Sequence, residues 1–164
     1  MNQALPSDAA GMVFRRCRSP SERRAVGRLL AERGSPQDEP GVADADLFGL
    51  WDLTAPAGQA LAGAAAIGPL GDGGEVQLRG IAVTAVEGHR GLDRRLVCEV
   101  ADSLRARGAP RLVARPAGGA GPAPGLLRSA GVVPAGAGRA PAEVSAPRTG
   151  VPGDDEASWW ELEL

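Results

Sequence analysis

The amino-acid sequence predicts an α/β fold: a mixed, mostly antiparallel sheet of six or seven strands with helices on both faces. Three strand-like runs, 47–53, 60–67 and 75–84, follow one another with only short turns between them, which is the pattern of an antiparallel meander. An amphipathic helical stretch, 91–107, then separates the last of these runs from a further apolar run, 111–115. A strand–helix–strand unit of that kind closes as a right-handed parallel crossover. The final residues, 158–164, alternate with a strand's period: Trp160, Leu162 and Leu164 fall on one side, Glu161 and Glu163 on the other.

At 164 residues the chain suits one domain with a real core. Glycine (24) and proline (14) together make 38 residues, just under the share that signals disorder, and they cluster in loops and tails. Every cationic side chain apart from His89 is arginine, and the chain has no lysine and no tyrosine. A net charge of −2 gives no case for nucleic acid as a partner. The longest apolar run, 60–70, is too short to span a membrane. Cys17 and Cys98 are isolated, without CxxC spacing, and the first residues lack a basic-then-apolar leader pattern. The expectation is a cytoplasmic protein with reduced thiols. His, Cys and carboxylates form no metal-ligand spacing, so no metal is expected.

Residues 1–11 read as a flexible N-terminus and 12–164 as a single domain. Met12 to Cys17 suits a first strand. Ser19-Pro20-Ser21-Glu22 is a helix start, with Ser19 as N-cap, Pro20 at the first helical position and Glu22 completing a capping box. Ala25, Val26, Leu29 and Leu30 share one face of that helix, and Gly34 stands where a C-terminal cap belongs. Asp38, Glu39, Asp44 and Asp46 follow in an acidic loop, a solvated stretch or an anionic rim for a cationic acceptor. Pro69 to Gly74 reads as a turn, and Gly80 inside the strand 75–84 as the mark of a bulge or close backbone approach. Leu92, Leu96, Val97, Val100, Ala101 and Leu104 line one face of the helix 91–107. Residues 126–132 suit a short helix, and about 134–157 form a long Pro/Gly-rich loop.

The stretch 76–97, VQLRGIAVTAVEGHRGLDRRLV, carries the chemistry. A strand, a glycine-bearing turn and a helix start together present backbone N–H groups and a positive dipole end to an anion, as phosphate sites do. That geometry fits dinucleotide, nucleotide and coenzyme A sites alike. The wording is narrower: Leu78-Arg79-Gly80-Ile81-Ala82-Val83 followed by His89-Arg90-Gly91-Leu92-Asp93-Arg94-Arg95-Leu96 resembles the central motif of the GNAT-type N-acetyltransferase superfamily, an "LAV"-like strand leading to "RGxGxGxxLL". With the order of the flanking elements, the resemblance spans roughly 12–164.

The resemblance implies an acyl-CoA N-acyltransferase-like fold, with acetyl-CoA as acyl donor and a primary amine, on a small molecule or a protein, as acceptor. It assigns Ile81, Ala82 and Val83 to main-chain contacts with the pantetheine arm. Gly88, His89, Arg90, Gly91, Leu92, Asp93 and Arg94 are assigned to the pyrophosphate, with Arg95 as a further cation. The family signature begins with Gln or Arg and ends on a small residue; here those positions are Gly88 and Asp93. Gln77 stands where many members place a catalytic Glu, and Glu75, two residues away on the same strand face, is the substitute candidate base. The family's acid, a tyrosine in the short late helix, corresponds to Leu127, with Ser129 and Cys98 as neighbouring groups. The rival implication is a catalytically degenerate domain that senses acyl-CoA or serves as an interaction module. Trp159 on the closing strand offers a homodimer edge.

Overall fold

The computed structural model describes residues 11–33, 45–56, 60–70, 74–84, 91–114, 124–135 and 160–164. Helix α1 (Pro20–Glu32) starts as its sequence predicts. Ser19 Oγ accepts the Glu22 N–H at 3.2 Å, while Glu22 Oε2 accepts the N–H groups of Ser19 (3.3 Å) and Arg18 (2.8 Å). Arg15 adds an ion pair to Glu22 at 2.6 Å. The Arg18 N–H bond first, then the Arg15 side chain, hold the Glu22 carboxyl below its usual range. The helix ends on Arg33; Gly34 lies outside the described residues.

Strands β1 (Met12–Arg16), β2 (Asp46–Asp52), β3 (Leu61–Leu70), β4 (Glu75–Val83), β5 (Arg111–Ala114), β6 (Val133–Pro134) and β7 (Trp160–Glu163) form one sheet in the order β1-β2-β3-β4-β5-β7-β6. Only the β4–β5 pair is parallel. Helix α2 (Leu92–Arg105) makes the crossover between them, and the short α3 (Pro124–Ser129) packs beside it. The mixed, mostly antiparallel sheet with helices on both faces is thus the fold that the sequence predicts.

One expectation is corrected: β3 runs through Pro69 and Leu70, where a turn was expected. Its pairing with β2 ends at Ile67, so Pro69 meets a partner only on the β4 side, a position where the missing proline N–H is tolerated. Smaller differences occur at the ends of elements. Gly91 caps α2 from outside with φ +82°, Arg105 is its last residue, and β5 stops at Ala114.

The sheet separates two apolar layers. On one side α1 buries Val26, Leu29 and Leu30 against Cys17, Leu47, Ala64, Ala66 and Ala82. On the other, α2 and α3 bury Leu96, Val97, Val100 and Leu127 against Phe48, Leu50, Ile67, Leu78, Leu112 and Trp160. Ala64, Ala65 and Ala66, in the middle of β3, are wholly buried between the layers. Their small side chains bring both helices close to the sheet, which explains a strand so poor in β-branched residues.

β4 contains the one irregularity that matters for the site. Ala66 pairs with Gly80 and Ile67 with Leu78, so Arg79 is an extra residue, a β-bulge beside the glycine that announced it. The bulge changes the strand's parity. Leu78, Ile81 and Val83 all pack on the α2 side, and Ala82 turns to the α1 side. Arg79's guanidinium lies over Gly68, where an added Cβ would stand 2.5 Å from it.

A second glycine seats an aromatic ring. A Cβ on Gly49 would lie 2.4 Å from Trp51 Nε1, and Arg15 stands 5.1 Å from the Trp51 ring centroid. Gly49→Ala should therefore displace the indole and cost about 1–3 kcal/mol. Urea denaturation would measure this as a lower midpoint at unchanged slope.

Candidate functional site

The β4–β5 ladder runs only from Val76↔Leu112 to Leu78↔Ala114, whereas β4 continues to Val83. Beyond Leu78 the two strands part. On its other edge β4 stays fastened: Thr84 N–H donates to the Ala62 carbonyl at 2.9 Å, with Ala82 opposite Ala64. Backbone groups alternate sides along a strand, so Ala82 and Thr84 face β3, while the N–H and C=O of Ile81 and Val83 face the parting. The strand end therefore offers a row of main-chain donors and acceptors beside a gap.

The chain from Thr84 to Gly91 leads from this gap to the α2 N-terminus. Gly88, His89 and Arg90 lie outside the described residues. Gly91 is exposed, and a Cβ there would meet nothing within 4 Å, so it is the positive φ rather than space that calls for glycine. Leu92, expected among the binding residues, buries its side chain in the α2 layer and leaves only its N–H to the site.

Asp93 Oδ1 accepts the backbone N–H of Arg94 at 2.7 Å, consuming one of the N–H groups that an anion would use. Arg94 is exposed. One turn further, Arg95 Nε stands 3.5 Å from Glu99, and its Nη1 is buried without a partner. Arg95 is thus a cation held at the helix start with donor capacity to spare.

The expected acid–base groups are disposed otherwise. Glu75 is ion-paired with Arg111, whose other nitrogen holds Glu161 Oε2 at 2.6 Å. The three side chains are 23%, 16% and 11% exposed. Burial pulls the Arg111 guanidinium down, but hydrogen bonds from it to Glu75 and then Glu161 outweigh burial and raise its pKa. Gln77, opposite Gly68 and Val113, shares the Glu75 face and is half-buried. Leu127 is completely buried in the α2 layer. Ser129 Oγ donates to the Leu126 carbonyl at 2.8 Å, and Cys98 sits exposed on α2. Burial, and secondarily Glu22, push the Cys17 thiol up, so it is no ready nucleophile.

Sequence reasoning missed Arg111 and Glu161. Their signal was present only as charges at alternate positions of two strands whose pairing is not local. Among the described residues no group of three metal-ligating side chains occurs, and no helix is long and apolar enough to cross a membrane.

No protein-family model and no curated sequence matches the chain. Solved structures do. An acetyltransferase assigned to the GNAT family from Desulfovibrio desulfuricans superposes with a TM-score of 0.62 at 21% identity, covering 93% of this chain and 98% of its own. The ribosomal-protein-S18-alanine N-acetyltransferase of Escherichia coli gives 0.59 at 22% identity, with 93% of both chains covered. A Bacillus subtilis acetyltransferase in complex with CoA gives 0.59 at 14%, covering 93% and 99%. This chain therefore has the fold of the GNAT-type N-acetyltransferases.

The triad predicts a pH-dependent loss. Arg111→Met leaves two poorly exposed carboxylates facing one another and should cost about 3 kcal/mol at neutral pH. The deficit should shrink as acid protonates Glu75 and Glu161. Denaturant unfolding of both proteins at pH 7 and pH 4 checks this; an equal deficit at both would remove the charge argument.

Proposed function

We propose that this chain is an acyl-CoA-dependent N-acyltransferase that moves an acetyl group from acetyl-CoA to a primary amine by direct attack. The observation that carries the reading is the free main-chain edge of Ile81 and Val83 along the parting of β4 from β5, leading to the α2 N-terminus. The fold of acetyltransferases, one of them solved with CoA, supports it. Residues 12–164 are read as one domain.

Ile81, Ala82 and Val83 hold the pantetheine arm as a strand holds its neighbour, with the outward N–H and C=O groups of Ile81 and Val83 making the bonds. Gly88, His89, Gly91, Leu92 and Asp93 shape the turn and helix start, where backbone N–H groups take the pyrophosphate. Arg90 and Arg94 supply the charge, and Arg95 adds its unpartnered nitrogen. Gln77 orients the amine acceptor from the α1 face of the sheet. We assign Glu75 to the ion pair with Arg111, not to proton transfer. Positioning, not a protein acid, supplies most of the acceleration. The amine is on a small molecule or a protein.

A second reading, a GNAT-type domain that holds acyl-CoA without turnover, is favoured by the buried Leu127 and the engaged Glu75. Release of free CoA thiol across a panel of amines separates the two readings: acceptor-dependent release establishes the enzyme, and binding without release the sensor.

Saturating acetyl-CoA at about a hundred times Kd should stabilise the protein by about 2.7 kcal/mol, seen as a melting shift of several degrees that ADP or pantetheine alone does not match. Arg90→Glu should weaken acetyl-CoA binding by tenfold or more; unchanged affinity would remove the turn from the site. Asp93→Gly frees the Arg94 N–H and removes a negative charge worth about 1 kcal/mol near a phosphate. It should tighten binding roughly fivefold by calorimetry, and weaker binding would give Asp93 a positive role.

A further inference from the structure

Trp160 opens β7 opposite Ala114, and Ala114 stands opposite Leu78. The three side chains form a row on the α2 face at the point where β4 and β5 part. Trp160 is 4% exposed, and its indole Nε1 is fully buried without a hydrogen-bond partner. Arg128 stands 5.5 Å from the ring centroid, and Leu127 and Val132 belong to the same packed cluster. An orphaned buried N–H is costly, and folded chains rarely keep one without a use. Ala114, the smallest member of the row, leaves the indole room beside the parting. Leu127, where the family carries a hydroxyl, has no polar atom to offer.

We propose that the Trp160 indole N–H is a catalytic hydrogen-bond donor to the thioester sulfur of the acyl donor; this rests on the donor reading above. In the step it serves, the amine lone pair forms the C–N bond and the C–S bond breaks with its electron pair going to sulfur. The nitrogen's surplus proton passes to water, and solvent returns a proton to the thiolate, giving amide and free thiol. The indole N–H is far too weak an acid to transfer its own proton, so it acts electrostatically on the charge that grows on sulfur. Access to it requires a shift of α3, a helix of six residues stacked on Trp160 through Arg128.

The test compares CoA with desulfo-CoA, which lacks the sulfur, by calorimetry, so that no acceptor need be known. Wild type should bind CoA about three- to tenfold more tightly than desulfo-CoA, and Trp160→Phe should abolish that preference while leaving desulfo-CoA affinity unchanged. A folded Trp160→Phe protein that keeps the wild-type preference overturns the proposal. A measurement on the unaltered residue covers a variant that fails to fold. The Trp160 indole N–H resonance, assigned with Trp51→Phe and Trp159→Phe, should move downfield with CoA and not with desulfo-CoA; equal movement with both overturns it. Wild type that binds neither ligand removes the donor reading itself, and the proposal with it.

Discussion

β4 has to satisfy two incompatible demands, and the extra residue at Arg79 reconciles them. Its first half is bonded to β3 on one edge and β5 on the other, while its second half keeps only β3. A regular strand would carry one alternation of side chains from end to end. Leu78 on the α2 side would then put Ala82 there and turn Ile81 and Val83, both larger, toward α1. With the bulge, Leu78, Ile81 and Val83 all reach the α2 layer, and the small Ala82 fits under α1. Gly80 beside the bulge and Gly68 beneath the Arg79 guanidinium leave the distortion room.

The parting stops at Leu78 because the rest of β4 is tied on both faces. On the α1 face, Arg111 holds Glu75 of β4 and Glu161 of β7 across its own strand, so one guanidinium spans three strands. On the opposite face, Val76, Leu112 and Leu162 pack beneath α2 and α3. Apolar burial supplies most of the stabilisation there. A poorly exposed ion triad adds little net energy against an apolar replacement, but it penalises any slipped register, since a slip leaves charges unpaired. The gap is thus confined to one end of the strand by interactions at the other.

Short-range chemistry was the part of this fold that the sequence made legible. The capping box of α1, the apolar face of α2 and the alternation of β7 each depend on residues within one turn or one strand. Gly80 marked the bulge, although not which neighbour would be extra. Pro69 misled because tolerance of proline depended on where β2 ended, which no local pattern states. Glu75 misled for a similar reason: its availability was decided by Arg111, 36 residues away, and Glu161 beyond it. At the candidate site, the Asp93 carboxylate turned to the helix's own N–H instead of an arginine. The turn that carries Gly88, His89 and Arg90 is known from its residues alone.

The sheet also divides the proposed reaction by face. Gln77, Glu75 and Arg111 lie on the α1 side, whereas Leu78, Ala114 and Trp160 lie on the α2 side. Adjacent paired strands stand about 4.8 Å apart, too close for anything to pass between them. Only the parting beyond Leu78 connects the two sides. On the donor reading, the thioester lies in that parting, with an amine approaching from the polar face and sulfur leaving toward the apolar one. Such a division suits a site without a strong protein acid: water near the amine can accept its proton, while the growing thiolate meets a fixed dipole in a dry layer, where that dipole counts for most.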